Sequence, residues 1–128
     1  MAVRIVRLGT PRQRGEGLRL GTVRHPPRGV PKAQHAARDF YDVWVPELAP
    51  SAALLKRGQA AGTDRDWSTF VKRYRREMAA SEQVHLLRLL AALSAATDFS
   101  VGCYCADEAH CHRSILRTLL AEHGAVFV

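Results

Sequence analysis

The stretch FSVGCYCADEAHCHRSILRTLL, residues 99–120, decides how this chain folds. Its first seven residues are apolar and β-prone, which is typical of a strand buried inside a sheet. The following polar loop leads into a segment whose apolar residues recur at three- and four-residue spacing: Ile115, Leu116, Leu119 and Leu120. That spacing predicts one continuous helix over residues 111–123 that packs this face on the sheet. The stretch therefore reads as strand, loop and helix.

Further elements are predicted on both sides of this unit. Short alternating or aromatic segments indicate strands at residues 2–8, 18–23 and 40–45, and the AVFV segment after Gly124 indicates a closing strand. Ser51 and Asp66 are predicted to cap two helices, and Ser81 is predicted to open a third. The first of these helices is predicted to be short, ending near Leu55. Strands interleaved with helices predict a single α/β domain over residues 1–128, with a mostly parallel sheet.

Composition indicates which partners the chain favours and in which environment it works. The net charge of +7 and the isoelectric point of about 10.0 favour anionic partners such as nucleotides, nucleic acid, phosphorylated small molecules or acidic proteins. No apolar run approaches the roughly 20 residues of a membrane span, and the N-terminus lacks a signal-peptide pattern. All three cysteines lie in one cluster, unlike a secreted disulfide framework. We expect a cytoplasmic protein without membrane association, and its oligomeric state stays open.

The cysteine-rich loop contains the donor types of a zinc site. These donors are Cys103, Cys105, Cys111 and either His110 or His112, and the C-x-C-x5-C-H pattern lacks the paired C-x2-C knuckles of common structural zinc modules. Cys103 is also expected to be a small buried hydrophobic residue of the strand. From these observations we expect free thiols, no bound metal and no cofactor.

A reactive thiol or an anion site at the start of the last helix is the alternative. Free backbone N–H groups and the helix dipole favour negative charge there, and Arg113 adds a forked donor. A cysteine so placed is expected to have a lowered pKa, which makes Cys111, and next Cys105, the candidate catalytic residues. The candidate ligand-binding side chains of this loop are Asp107, His112, Arg113 and Ser114. The C-x5-R spacing of tyrosine phosphatases is not matched.

Ordinary structural roles account for several of the same residues. Asp107 can cap a helix, Ser114 can bond locally at a helix start, and Cys103 can be packed in the core. The loop's place after a buried strand nevertheless favours function, because ligands of parallel α/β sheets bind beyond the carboxyl ends of strands.

A second candidate segment is VRHPPRGVPK, residues 23–32. Its Arg24, Arg28 and Lys32 lie among prolines that stiffen the chain, which reduces the entropy lost when arginines hold an anion. We expect Arg24 or Arg28 to lie near Arg113 in one shared pocket. A nucleic-acid site would call for exposed aromatics between the basic residues or a helix-turn-helix, and neither pattern is visible.

Four segments in this order resemble signatures of the bacterial domain-of-unknown-function family numbered 488, in its YeaO-like branch. They are PRGVPK at 27–32, DVWVPELAPSAALL at 42–55, DWSTFVKRYRREM at 66–78 and CADEAHCHRSILRTLL at 105–120. Three departures are visible: Val23 and Pro26 stand where the family often has aspartate and tryptophan, and Asp107 stands where glutamate is usual.

The resemblance implies a Rossmann-like α/β fold in which helices flank the sheet, and it brings no established activity. Together with the residues, it leads to the hypothesis of a basic Cys/His/Arg pocket that binds or acts on a phosphate-bearing or otherwise anionic ligand. The alternative is a non-catalytic module that binds a nucleotide or nucleic acid. Whether the protein is an enzyme is left undecided by the sequence.

Overall fold

Four parallel strands form the sheet in the computed structural model, which describes all residues 1–128. The strands are β1 (Val3–Arg7), β2 (Leu18–Gly21), β3 (Val43–Trp44) and β4 (Phe99–Cys103), and their order across the sheet is β1-β4-β2-β3. All three pairings are parallel. β4 lies between β1 and β2, and each of its five residues is buried. The predicted α/β fold with a mostly parallel sheet is thus confirmed.

The helices are α1 (Ala52–Ala60), α2 (Asp64–Met78), α3 (Ser81–Ser94) and α4 (His112–Glu122). Ser51 caps α1, as predicted, by accepting a hydrogen bond from the backbone N–H of Leu54. α1 continues five residues beyond Leu55, because residues 56–60 contain good helix formers and Gly58 lets the ring of Phe70 approach closely.

Four other predicted elements differ from the structure in their extent. α2 is capped by Thr63 rather than Asp66, because the Thr63 hydroxyl accepts from the backbone N–H of Asp66, and the helix therefore begins three residues earlier than predicted. The segment at residues 40–45 forms only a two-residue strand, and the segment after Gly124 forms only one parallel bridge, from Val3 to Phe127. α4 differs from the prediction by one residue at each end.

The main core lies between the sheet and the helices. Buried side chains from β1 and β4 meet those of α2, α3 and α4, among them Val101, Tyr74, Leu87 and Leu116. The Tyr74 hydroxyl donates to the carbonyl of Leu48 at 2.6 Å, so its polar end is satisfied inside the core. None of the helices is long and apolar enough to cross a membrane.

The carboxyl ends of β2 and β4 lie side by side, since Gly21 and Gly102 are register partners. A Cβ atom on Gly21 would come within 2.3 Å of the Tyr41 ring, and one on Gly102 within 2.7 Å of Leu8. Because both glycines lack a side chain, Tyr41 and Leu8 can pack directly over these strand ends. Beyond them, the chain leaves β2 toward residues 22–28 and leaves β4 toward α4, which brings both candidate segments to one edge.

Candidate functional site

A concave site lies at this edge of the sheet, where the segments after β2 and β4 face α1. It encloses about 580 Å³, within the range of about 300–1,000 Å³ that small-molecule sites occupy. Basic residues that follow β2 form one wall, and cysteines at the end of β4 form another. No Asp or Glu lines the site. We call this site the basic cavity; its polar lining includes Arg24, His25, Arg28, Cys103, Cys105 and His112.

Three cysteines and one histidine come together at this wall, and we call Cys103, Cys105, Cys111 and His112 the sulfur–imidazole cluster. The Sγ atoms of Cys103 and Cys105 are 3.7 Å apart, and Sγ of Cys111 is 3.9 Å from Nδ1 of His112. The donor atoms of Cys103, Cys111 and His112 all lie within 4.8 Å of one another. Cys105 is exposed, whereas the other three members are buried.

The orientation of His112 is set by a backbone carbonyl. Its Nε2 atom is 2.6 Å from the carbonyl oxygen of Thr22, which directly follows β2. Because a carbonyl only accepts, Nε2 carries the proton and donates, which leaves the lone pair of Nδ1 directed toward the sulfur of Cys111. Burial lowers the pKa of His112 below its usual value, so the ring is neutral. The ring also packs edge-on against Tyr74, at 5.6 Å between centroids.

The three thiols differ in pKa in a way that the sequence did not predict. The hydrogen bond to Cys105 raises the pKa of Cys103 above its usual value. Hydrogen bonds from Cys103 and Cys111, with the nearby charge of Arg113, lower the pKa of Cys105. The pKa of Cys111 is raised by its hydrogen bonds to Cys103 and Cys105 and by burial. The expected lowering at Cys111 is therefore wrong, because this side chain is buried and donates to the neighbouring sulfurs.

Arg113 turns into the interior rather than into the basic cavity. It lies in the first turn of α4 and is 4% exposed, and its Nη2 donates to the carbonyl of Cys105 at 2.8 Å. Its Nε atom has no hydrogen-bond partner. Arg24 and Arg28 line the basic cavity, but Arg113 does not. Arg113 therefore does not share their pocket, although the sequence predicts that it would.

The two arginines of the proline-rich segment differ in their bonding. Arg24 donates from Nε to the carbonyl of Pro50 and from Nη2 to the carbonyls of Pro46 and Ala49, so much of its guanidinium holds the backbone. Arg28 is exposed and makes no hydrogen bond or ion pair within the protein. Of the two, Arg28 is therefore the guanidinium that is available to a ligand.

The remaining predicted ligand-binding residues lie away from the basic cavity or are bonded locally. Lys32 lines a different concavity, next to His35. Asp107 accepts from the backbone N–H of Ala109, as a turn cap does, and contacts His110 through its other oxygen. The Ser114 hydroxyl donates to the carbonyl of Cys111 at 2.9 Å.

Two contributors to the site were missed from the sequence. The Tyr104 hydroxyl donates to the backbone carbonyl of His25 at 2.9 Å, which ties the segment after β4 to the segment after β2. Thr22 supplies the carbonyl that orients His112. Backbone acceptors leave no trace in side-chain patterns, although the run of prolines after His25 marks a segment of fixed shape.

The fold and the site define a small α/β protein with a parallel sheet and a Cys/His cluster at the carboxyl ends of its strands. The chain belongs to the DUF488 family: the family model DUF488-N3a, described as the active DUF488-N3 subclade, matches residues 3–124. Comparison with curated proteins gives no match, and comparison with solved structures gives none either.

Proposed function

We propose that the basic cavity binds a phosphate-bearing or otherwise anionic small molecule and that chemistry on this ligand takes place beside the sulfur–imidazole cluster. One observation carries the proposal: basic side chains line a concave site at the carboxyl ends of parallel strands, and no carboxylate lines it. Such a site attracts negative charge, since no acidic side chain opposes the field of the basic groups.

Arg28 is the residue best suited to the first contact with the anion. Its guanidinium is exposed at the cavity and has no partner inside the protein. Arg–phosphate hydrogen bonds are charge-assisted and are often bidentate, which gives orientation as well as affinity. The prolines on either side hold the backbone of this segment, so that little conformational entropy is lost on binding. Arg24, which is bonded to three carbonyls, adds positive charge from a fixed position.

The position of the cluster supports a reaction rather than binding alone. Cys103, Cys105 and His112 line the same cavity as Arg28, so a bound anion lies next to sulfur and imidazole groups. Cys105 is the exposed thiol among them. The matched subclade is described as active.

Isothermal titration calorimetry with inorganic pyrophosphate tests the binding step. We expect saturable binding to one site and a loss of about tenfold in affinity for Arg28→Gln, because one charge-assisted contact is removed. Arg14→Gln is the matched control, since Arg14 is an exposed arginine in the loop between β1 and β2 and lies outside the cavity. An equal loss in both variants would indicate attraction to net charge alone and would refute the proposal.

A short single-stranded oligonucleotide in the same titration tests the alternative of a nucleic-acid module. A ligand confined to the cavity competes with pyrophosphate and depends on Arg28. Oligonucleotide binding that falls steeply with salt, and to which Arg14 and Arg28 contribute equally, would instead favour contact along an extended basic face.

A further inference from the structure

We propose that Cys103, Cys105, Cys111 and His112 together bind one zinc ion at the inner wall of the basic cavity. Zinc commonly takes three thiolates and one imidazole in tetrahedral geometry. The sequence favoured a metal-free cluster because Cys103 was expected to be packed inside a strand. Cys103 is indeed buried, as the last residue of β4, and its sulfur nevertheless lies beside the sulfur of Cys105.

The spacing of the donor atoms fits one tetrahedral ion. Zn–S bonds of about 2.3 Å at a tetrahedral angle place two sulfurs about 3.8 Å apart. The Sγ atoms of Cys103 and Cys105 are 3.7 Å apart, and the Cys111 sulfur is 3.9 Å from Nδ1 of His112. The donors of Cys103, Cys111 and His112 all lie within 4.8 Å of one another. Cys105 lies outside this group of three but contacts it through Cys103, and its exposed side chain would turn toward the other donors to complete the site.

The hydrogen bond of His112 is an independent indication. A histidine that binds a metal commonly donates its other ring N–H to a carboxylate or to a backbone carbonyl, which fixes the tautomer and the ring orientation. Nε2 of His112 makes this bond to the carbonyl of Thr22 at 2.6 Å. Nδ1 is consequently the free donor, and it is the ring nitrogen on the side of the Cys111 sulfur.

Arg113 balances the negative charge that the proposed zinc centre would carry. Three thiolates and one Zn²⁺ carry one negative charge in excess, and a buried excess charge requires a partner. Arg113 is buried, donates to the carbonyl of Cys105, and forms no ion pair with any carboxylate. A buried guanidinium with no acidic partner is thereby explained by the anionic metal centre beside it.

X-ray absorption at the zinc edge, on wild-type protein purified under reducing conditions and loaded with one equivalent of Zn²⁺, tests the site directly. We expect three sulfur neighbours at about 2.3 Å and one nitrogen neighbour at about 2.0 Å. Zinc surrounded by oxygen and nitrogen only, or less than half an equivalent of zinc retained after gel filtration, would overturn the proposal.

Co²⁺ titration followed by absorption compares the variants. Cys105→Ser is expected to weaken Co²⁺ binding at least about tenfold and to lower the sulfur-to-cobalt charge-transfer intensity, since it removes one of three thiolates. His112→Gln is expected to weaken binding similarly, whereas His85→Gln, on the exposed face of α3, leaves it unchanged. Unaltered affinity in Cys105→Ser, or in a His112→Gln protein that circular dichroism shows to be folded, would contradict the assignment.

This proposal does not rest on the anionic ligand, because zinc binding is measured without pyrophosphate. Loss of pyrophosphate binding in Arg28→Gln with normal zinc content would leave the metal site intact. Should His112→Gln fail to fold, the absorption spectrum of the wild-type protein still decides the proposal through its sulfur and nitrogen count.

Discussion

Glu16 and Arg19 form an ion pair inside the protein, with 2.7 Å between Oε1 of Glu16 and Nε of Arg19. The two side chains are 2% and 1% exposed. Ser100 of β4 donates a further hydrogen bond to Glu16, and Arg19 donates from Nη1 to the carbonyls of Thr10 and Asp39. The pair therefore joins β2 and β4 to the loops on either side, and every charged group in it is satisfied.

The first prediction concerns the loss of one partner of this pair. Glu16→Gln is expected to lower the free energy of unfolding by about 3 kcal/mol or more, because the charge of Arg19 stays buried without its carboxylate. Urea unfolding followed by circular dichroism measures the change. Glu82→Gln, on the exposed surface of α3, is the control and is expected to change the free energy by less than about 0.5 kcal/mol. A Glu16→Gln protein as stable as the wild type would show that the pair contributes nothing net.

The second prediction concerns the pH dependence of the same pair. Burial alone would raise the pKa of Glu16. Hydrogen bonding, chiefly from Arg19, outweighs burial and lowers this pKa from 4.5 to about 2. A lowered folded-state pKa contributes stability that is complete above pH 4.5 and is lost as the pH falls toward 2. Between pH 4.5 and pH 2, the free energy of unfolding of the wild-type protein should fall by roughly 3 kcal/mol more than that of Glu16→Gln. Parallel curves for the two proteins in urea titrations from pH 6 to pH 2 would contradict the assignment.

The strand β2 shows where sequence periodicity reaches its limit. Alternation in LRLG predicts a strand, and the strand is present, yet Leu18 is 58% exposed while Arg19 is buried. The arginine is inside because Glu16, three residues earlier, neutralises it, and a pattern of apolar and polar residues does not contain that pairing. The strands, the helices and the parallel sheet could be predicted because their signals are local and repeat along the chain.

The sequence indicates where the candidate site lies, but it does not indicate how the side chains of the site are oriented. The strand–loop–helix order at residues 99–120 directs attention to the carboxyl ends of the strands, where the basic cavity lies. The directions of the side chains could not be read in the same way. Arg113 turns inward to the carbonyl of Cys105, and His112 is oriented by the carbonyl of Thr22, ninety positions away along the chain. Long-range backbone acceptors of this kind become visible only in the folded structure.

The third prediction concerns the strand ends that carry the site. Gly102→Ala is expected to destabilise the protein by about 2 kcal/mol, because its Cβ would lie 2.7 Å from both a Leu8 methyl and the carbonyl oxygen of Val6. Gly62→Ala serves as the control, since no atom lies within 4 Å of its Cβ position. Thermal and urea unfolding of the two variants measure the difference. Equal stabilities would show that the space above β4 adjusts without cost.

The fourth prediction orders the three thiols by their reactivity in metal-free protein. Cys105 is exposed, whereas Cys103 and Cys111 are 6% and 2% exposed, so iodoacetamide should modify Cys105 at least about tenfold faster than either of the others. Timed alkylation with peptide mass spectrometry, in the presence of a chelator, measures the three rates. Cys105→Ser is the matched variant and should lack the fast phase while the two slow rates persist. One equivalent of Zn²⁺ should slow the modification of Cys105 in the wild-type protein, since a metal-bound thiolate is less available to the reagent. Modification of Cys111 ahead of Cys105 would show that the loop after β4 opens in solution and that burial does not protect the α4 start.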